Sequence, residues 1–107
     1  MIKIAFQNKE DLNAFIRLIQ EIILALEAEY ISETDAFKRF EISARIELLE
    51  ELLPKVLKKQ FNKQTKSSIV ITKAVGIIIF QYREIVVDIY ADMLKNRIVE
   101  RIHRNMV

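Results

Sequence analysis

Apolar side chains recur along this chain with two different periods, and the switches between them predict its elements. In MIKIAF, residues 1–6, Ile2, Ile4 and Phe6 fall on one side, the alternation of a half-buried strand. The period then lengthens. Leu12, Phe15, Ile16, Ile19, Ile22, Ile23, Leu26 and Tyr30 follow at spacings of three and four, while Glu10, Asn13, Arg17, Gln20, Glu21 and Glu27 line the other side. This predicts an amphipathic helix over residues 9–30. Asn8 is a suitable N-cap, and Asp11 in the first turn meets the positive end of the helix macrodipole.

SETD at 32–35 offers Ser32 or Thr34 as the next cap. The second helix is expected to bury Phe37, Phe40, Ala44, Leu48, Leu49, Leu52 and Leu53. Pro54 has no N–H to bond the Glu50 carbonyl and its ring crowds that turn, so the helix should kink or restart there. KVLKKQF reads as one or two further turns, and NKQTKSS as the one convincing internal loop.

The most apolar stretch, IVITKAVGIIIFQY at 69–82, admits three readings: a membrane segment, a hairpin, or a strand leading into a helix. Its longest uninterrupted apolar run is the seven residues from Ala74 to Phe80, far short of the ~20 needed to span a bilayer. A hairpin would need a tight-turn pair such as Asn-Gly, and none is present. Downstream, Gln81, Glu84, Asp88, Asp92 and Lys95 alternate with Tyr82, Ile85, Val86, Ile89, Tyr90 and Met93 at a helical period. Extending that period back to Lys73 requires no turn. SSIVI is then a strand partner for MIKIAF, and Thr72 caps a third helix. The expected fold is mostly α (α+β): one helix-rich domain over 1–107, three long helices and two short strands in β-α-α-β-α order, with helix 2 kinked at Pro54.

A third helix running unbroken from 73 to 104 would be about 48 Å long. A compact chain of this length is only about 34 Å across. Such a rod either breaks near Lys95-Asn96 or projects its last turns for another chain to cover. Ile98, Val99, Ile102 and Met106 are unsuited to a solvated spike, and Ile77 and Phe80 continue the polar stripe, leaving the first turns apolar all round. Self-association is expected, a dimer being favoured, through Ile77, Phe80, Ile98, Ile102 and Met106.

Composition supports a folded chain rather than a disordered one: 51% of residues are hydrophobic and 30% charged. With a single Gly and a single Pro, a fold of many tight turns is not expected. Cysteine is absent, which removes disulfides and thiolate metal sites and suits a reducing, cytoplasmic setting. No export signal is read at the start of the chain. The excess of Ile over Leu, 18 to 10, and of Lys over Arg, 10 to 7, is what A+T-rich coding produces and hints at a low-GC bacterium or its mobile elements.

Charge is divided unevenly. Residues 1–53 hold six Lys/Arg against eleven Asp/Glu, a net −5, and residues 54–107 hold eleven against four, a net +7. The halves can attract each other within one fold, or the basic half can face an anionic partner. Lys58, Lys59 and Lys63 in PKVLKKQFNKQTK, and Arg97, Arg101 and Arg104 stacked at spacings of four and three, are the residues such a partner would meet.

Catalytic parts are sparse. Glu100 and His103 form one Glu-x-x-His pair, whereas carboxylate-bridged bundle sites use two with further acids. Glu47, Glu50 and Glu51, and Glu84, Asp88 and Asp92, read as solvated faces. One histidine and no cysteine leave the usual nucleophile–base arrangements without members, and one glycine cannot build a phosphate loop. No motif names a family. The chain therefore reads as a non-enzymatic helical assembly or adaptor protein, without cofactor, metal or small-molecule substrate. Its expected partner is a second copy or another protein, and a phage- or plasmid-encoded component fits. The alternative is a nucleic-acid-binding accessory factor.

Overall fold

The computed structural model describes residues 1–59, 67–84 and 97–104. Strand β1 (Ile2–Ala5) pairs antiparallel with β2 (Ser68–Ile71), in the register Ile2 to Ile71 and Ile4 to Ile69. Directly opposed residues share a face, so these four isoleucines form one apolar surface, and all four are buried. Lys3 and Val70 pair on the outer face. The Phe6 N–H donates to the Ser67 carbonyl at 2.9 Å and extends the ladder. An isolated two-stranded ribbon is marginal in water. Its stability comes from the buried isoleucines, each contributing about 1.5–3 kcal/mol before entropy is subtracted.

Helix α1 (Lys9–Ser32) starts at the expected cap: Asn8 Oδ1 accepts from the Asp11 N–H at 2.8 Å. Its inward side, Phe15, Leu18, Ile19, Ile22 and Leu26, is fully buried, and Phe15 meets Phe6 with ring centroids 5.5 Å apart. The helix runs two residues beyond the expected Tyr30 and takes in Ser32. The Ser32 hydroxyl donates back to the Glu29 carbonyl, so it cannot cap the second helix. The cap of α2 (Ala36–Leu57) is Asp35, whose Oδ1 accepts from the Phe37 N–H at 3.1 Å, instead of Ser32 or Thr34. The three-residue link makes α1 and α2 a helical hairpin.

The face α2 turns inward departs from expectation. Ile42, Leu49, Leu52 and Val56 are buried, with Ile46 and Leu53 packed beside them. Phe37, Phe40 and Ala44 are exposed, and Leu48 is half-buried. At 100° per residue the stripe 37-40-44-48 lies about 150° from the stripe 42-46-49-53-56. Helix α2 thus has two apolar sides, and α1 covers only the second. Pro54 lies inside α2, which continues one turn past it without restarting and ends where Lys58 N–H bonds the Pro54 carbonyl.

Helix α3 (Lys73–Gln81) is capped by Thr72, whose Oγ1 accepts from the Val75 N–H at 3.3 Å, and β2 pairs with β1. The strand-then-helix reading holds and the hairpin reading does not. The long rod is corrected. Tyr82 terminates α3, its hydroxyl donating to the Glu29 carboxylate at 2.9 Å, while Arg83 Nη1 donates to the Phe80 carbonyl at 2.9 Å and satisfies one of the carbonyls a helix end leaves open. Residues 97–104 are again helical (α4). The rings of Phe80 and His103 stack with centroids 4.8 Å apart, whereas a straight helix would hold those positions about 34 Å apart. Residues 97–104 therefore lie back against the end of α3, and among the described residues the β-α-α-β-α order ends in two helical pieces. The expected break site at Lys95-Asn96 lies outside the described residues.

Candidate contact surfaces

Helix α4 meets the start of the fold at one buried carboxylate. The Asp11 side chain is fully buried, the only buried charged or polar residue among those described. Gln7 N–H donates to its Oδ2 at 3.2 Å, Arg97 pairs with its Oδ1, and an Arg101 guanidinium nitrogen lies 3.7 Å from Oδ2. Arg101 also donates to the Ala5 carbonyl at 2.6 Å. Arg97 and Arg101, four apart, therefore reach the junction of β1 and α1, and between and beyond them Ile98 and Ile102 enter the core. Asp11 reads from the sequence as a helix-end acid, and its burial is a finding of the structure. Its place in the row 11-15-18-22, whose other members are all core, is the feature of the sequence that marks it.

This docking reassigns several expected site residues. Ile98 and Ile102 are 0% exposed within the single chain, so they are core and drop out of any contact surface. Ile77 is 39% exposed and Phe80 half-buried. Met106 lies outside the described residues. Of the basic residues, Arg101 and the still half-exposed Arg97 pair with Asp11, Lys58, Lys59 and Arg104 are exposed, and Lys63 lies outside the described residues. The charge asymmetry of the two halves is partly spent within the fold through these pairs, one of the two outcomes expected of it.

The large apolar groups left in water lie mainly on the α1–α2 hairpin. Phe37 and Phe40 are 68% and 72% exposed, and Ile31, at the end of α1, 81%. The stripe of Phe37 and Phe40 is bounded further along α2, where Leu48 lines a crevice of 110 Å³ with Val70 and Val75. Toward the hairpin tip nothing among the described residues covers it. A 290 Å³ cleft opens there between Tyr30, Arg39 and Phe40, with the Arg39 guanidinium 4.3 Å above the Tyr30 ring. Arg39 Nε is shielded from solvent and has no acceptor among the described residues, a donor left over beside the exposed rings.

Glu47, Glu50 and Glu51 are exposed, as is Glu84, while Asp88 and Asp92 lie outside the described residues. Among the described residues no three His, Cys, Asp or Glu side chains gather as a metal site. No helix among them is long and apolar enough to cross a membrane. Compared with known families, characterised proteins and solved structures, the chain matches none.

Proposed function

We propose that this chain is a small, non-enzymatic assembly or adaptor protein that works by protein–protein contact, with a homodimer favoured, and that the contact centres on Phe37 and Phe40. The observation carrying this reading is the 68% and 72% exposure of two phenylalanines on one helix stripe, opposite the stripe that packs on α1. Isolated surface apolar groups need no explanation, but large aromatics aligned on a helix side do. Each ring has roughly 200 Å² to bury, of which about two-thirds lies in water. Covering both rings on each of two copies would contribute about 14 kcal/mol gross at ~25 cal/mol per Å². Association costs about 4–15 kcal/mol. The rings alone offset most of that cost, and a modest surrounding contact suffices for a reversible dimer. The cysteine-free composition allows the cytoplasmic setting that goes with this reading, and a phage or mobile-element origin fits the Ile- and Lys-rich coding bias.

Light scattering on the wild type and on Phe37→Ser/Phe40→Ser tests it. The wild type is expected to show a multiple of 12.6 kDa that rises with concentration, and the double variant 12.6 kDa throughout. A wild type that stays at monomer mass at millimolar concentration, or an assembly indifferent to both substitutions, overturns the proposal. The nucleic-acid reading is weaker, since two of its three stacked arginines are engaged by Asp11. Retention of DNA that fades steeply with rising salt would favour it instead.

A further inference from the structure

Where α3 ends and α4 returns, the two segments enclose a cleft of 470 Å³ lined by Phe80, Arg83, Val99, Glu100, His103 and Arg104. That volume falls within the ~300–1,000 Å³ of small-molecule pockets. We propose that this cleft binds a small aromatic anion, a flat ring carrying a carboxylate or a phosphate ester. The site is built from elements other than the Phe37–Phe40 surface and does not rest on the assembly reading.

The walls specify both halves of such a ligand. The apolar half is met mainly by Phe80, with the nearly buried Val99 beside it. Phe80 is sandwiched, with the His103 imidazole nearly parallel to it at an interplanar angle of 19° and Arg83 over its ring. A ligand ring therefore meets the Phe80 edge and the outer face of the exposed His103 imidazole. The charged half is met by Arg83 and Arg104, contributed by opposite sides. Arg83 sits 4.2 Å over the Phe80 ring and is held by its bond to the Phe80 carbonyl, which leaves most of its fork of donors available. Its ion pair with Glu84 is long, 4.0 Å, and the Glu84 side chain is 88% exposed, so that pair competes weakly with a ligand anion. Two guanidiniums on different segments make this cleft cationic, and either fork can take a carboxylate or phosphate. Glu100 is the one acidic group among these lining residues, and it disfavours ligands of high charge while offering an acceptor to a ring N–H.

Phenyl phosphate is a suitable probe, followed by amide and aromatic NMR signals of the full chain. Saturable shifts at Phe80, Val99 and His103 are expected, with a Kd on the order of 1 mM as befits so small a ligand. Benzyl alcohol, with the ring alone, and inorganic phosphate, with the charge alone, should each bind at least about 5-fold more weakly. Benzoate against phenyl phosphate separates a carboxylate preference from a phosphate one. Arg104→Ala, at an exposed position, and Arg83→Ala should each weaken phenyl phosphate about 10-fold, the loss of one charge-assisted hydrogen bond. Phe40→Ser should leave it unchanged. Absence of saturable shifts, shifts that map to Tyr30 and Phe40, inorganic phosphate binding as tightly as phenyl phosphate, or indifference to both arginine substitutions would each overturn the assignment.

Discussion

Replacing Asp11 with asparagine isolates what holds α4 against the first strand and helix. The amide keeps the size of the side chain and can still accept from the Gln7 N–H, and the Asn8 cap to the Asp11 backbone is untouched. What is lost is the negative charge facing Arg97 and Arg101. Removing one member of a fully buried ion pair costs about 3–5 kcal/mol, because the other charge is left uncompensated. Here the penalty is smaller. The Arg97 side chain is 47% exposed and can rehydrate, while Arg101, at 22%, keeps the Ala5 carbonyl. The expected loss is therefore about 2–4 kcal/mol, a fall in Tm of roughly 10–25 °C for a domain of this size. Urea unfolding of the wild type and variant measures it, and native-state hydrogen exchange should show the amides of 98–102 losing protection before those of α1. A cost below about 0.5 kcal/mol, the level of an ordinary surface substitution, would refute the reasoning. It would mean that Ile98 and Ile102 dock without help from the ion cluster.

Other consequences can be checked separately. Ile98→Ala or Ile102→Ala should destabilise by about 2–5 kcal/mol in chemical denaturation, the range for truncating core aliphatics. Neither should alter the mass of the native protein, since both side chains are buried within one chain. Asp35→Ala should cost about 1 kcal/mol as a lost N-cap, whereas Ser32→Ala and Thr34→Ala should stay within about 0.5 kcal/mol, and thermal melts distinguish the three. Partial burial first, and the hydrogen bond to Glu29 second, hold the Tyr82 phenol above its ordinary value of 10.0. A raised pKa contributes stability that is complete below pH 10 and declines as pH climbs through the folded value. Tyr82→Phe should therefore flatten the alkaline loss of stability, and parallel pH profiles for the two proteins would count against this.

Periodicity alone sufficed for α1, its Asn8 cap and the strand alternation, because burial on one side leaves a pattern that depends only on neighbours three, four or two residues away. The same locality made Thr72 readable as the start of α3. It failed at α2, where two apolar stripes lie on opposite sides. Nothing local decides that Ile42, Leu49 and Val56 meet α1 while Phe37 and Phe40 remain outside. That choice depends on the angle at which the helices cross and on how far β2 and α3 reach along α2. It failed again beyond Gln81, where helical spacing continues in the sequence but Tyr82 bonds Glu29, Arg83 caps Phe80, and Arg97 and Arg101 find Asp11 some ninety residues earlier in the chain. Local propensity is set within a few residues, whereas the end of α3 and the docking of α4 are set by partners brought close only once the chain has folded. The apolar spacing at 98 and 102 calls for cover, and tertiary structure alone determined that the cover is the chain itself.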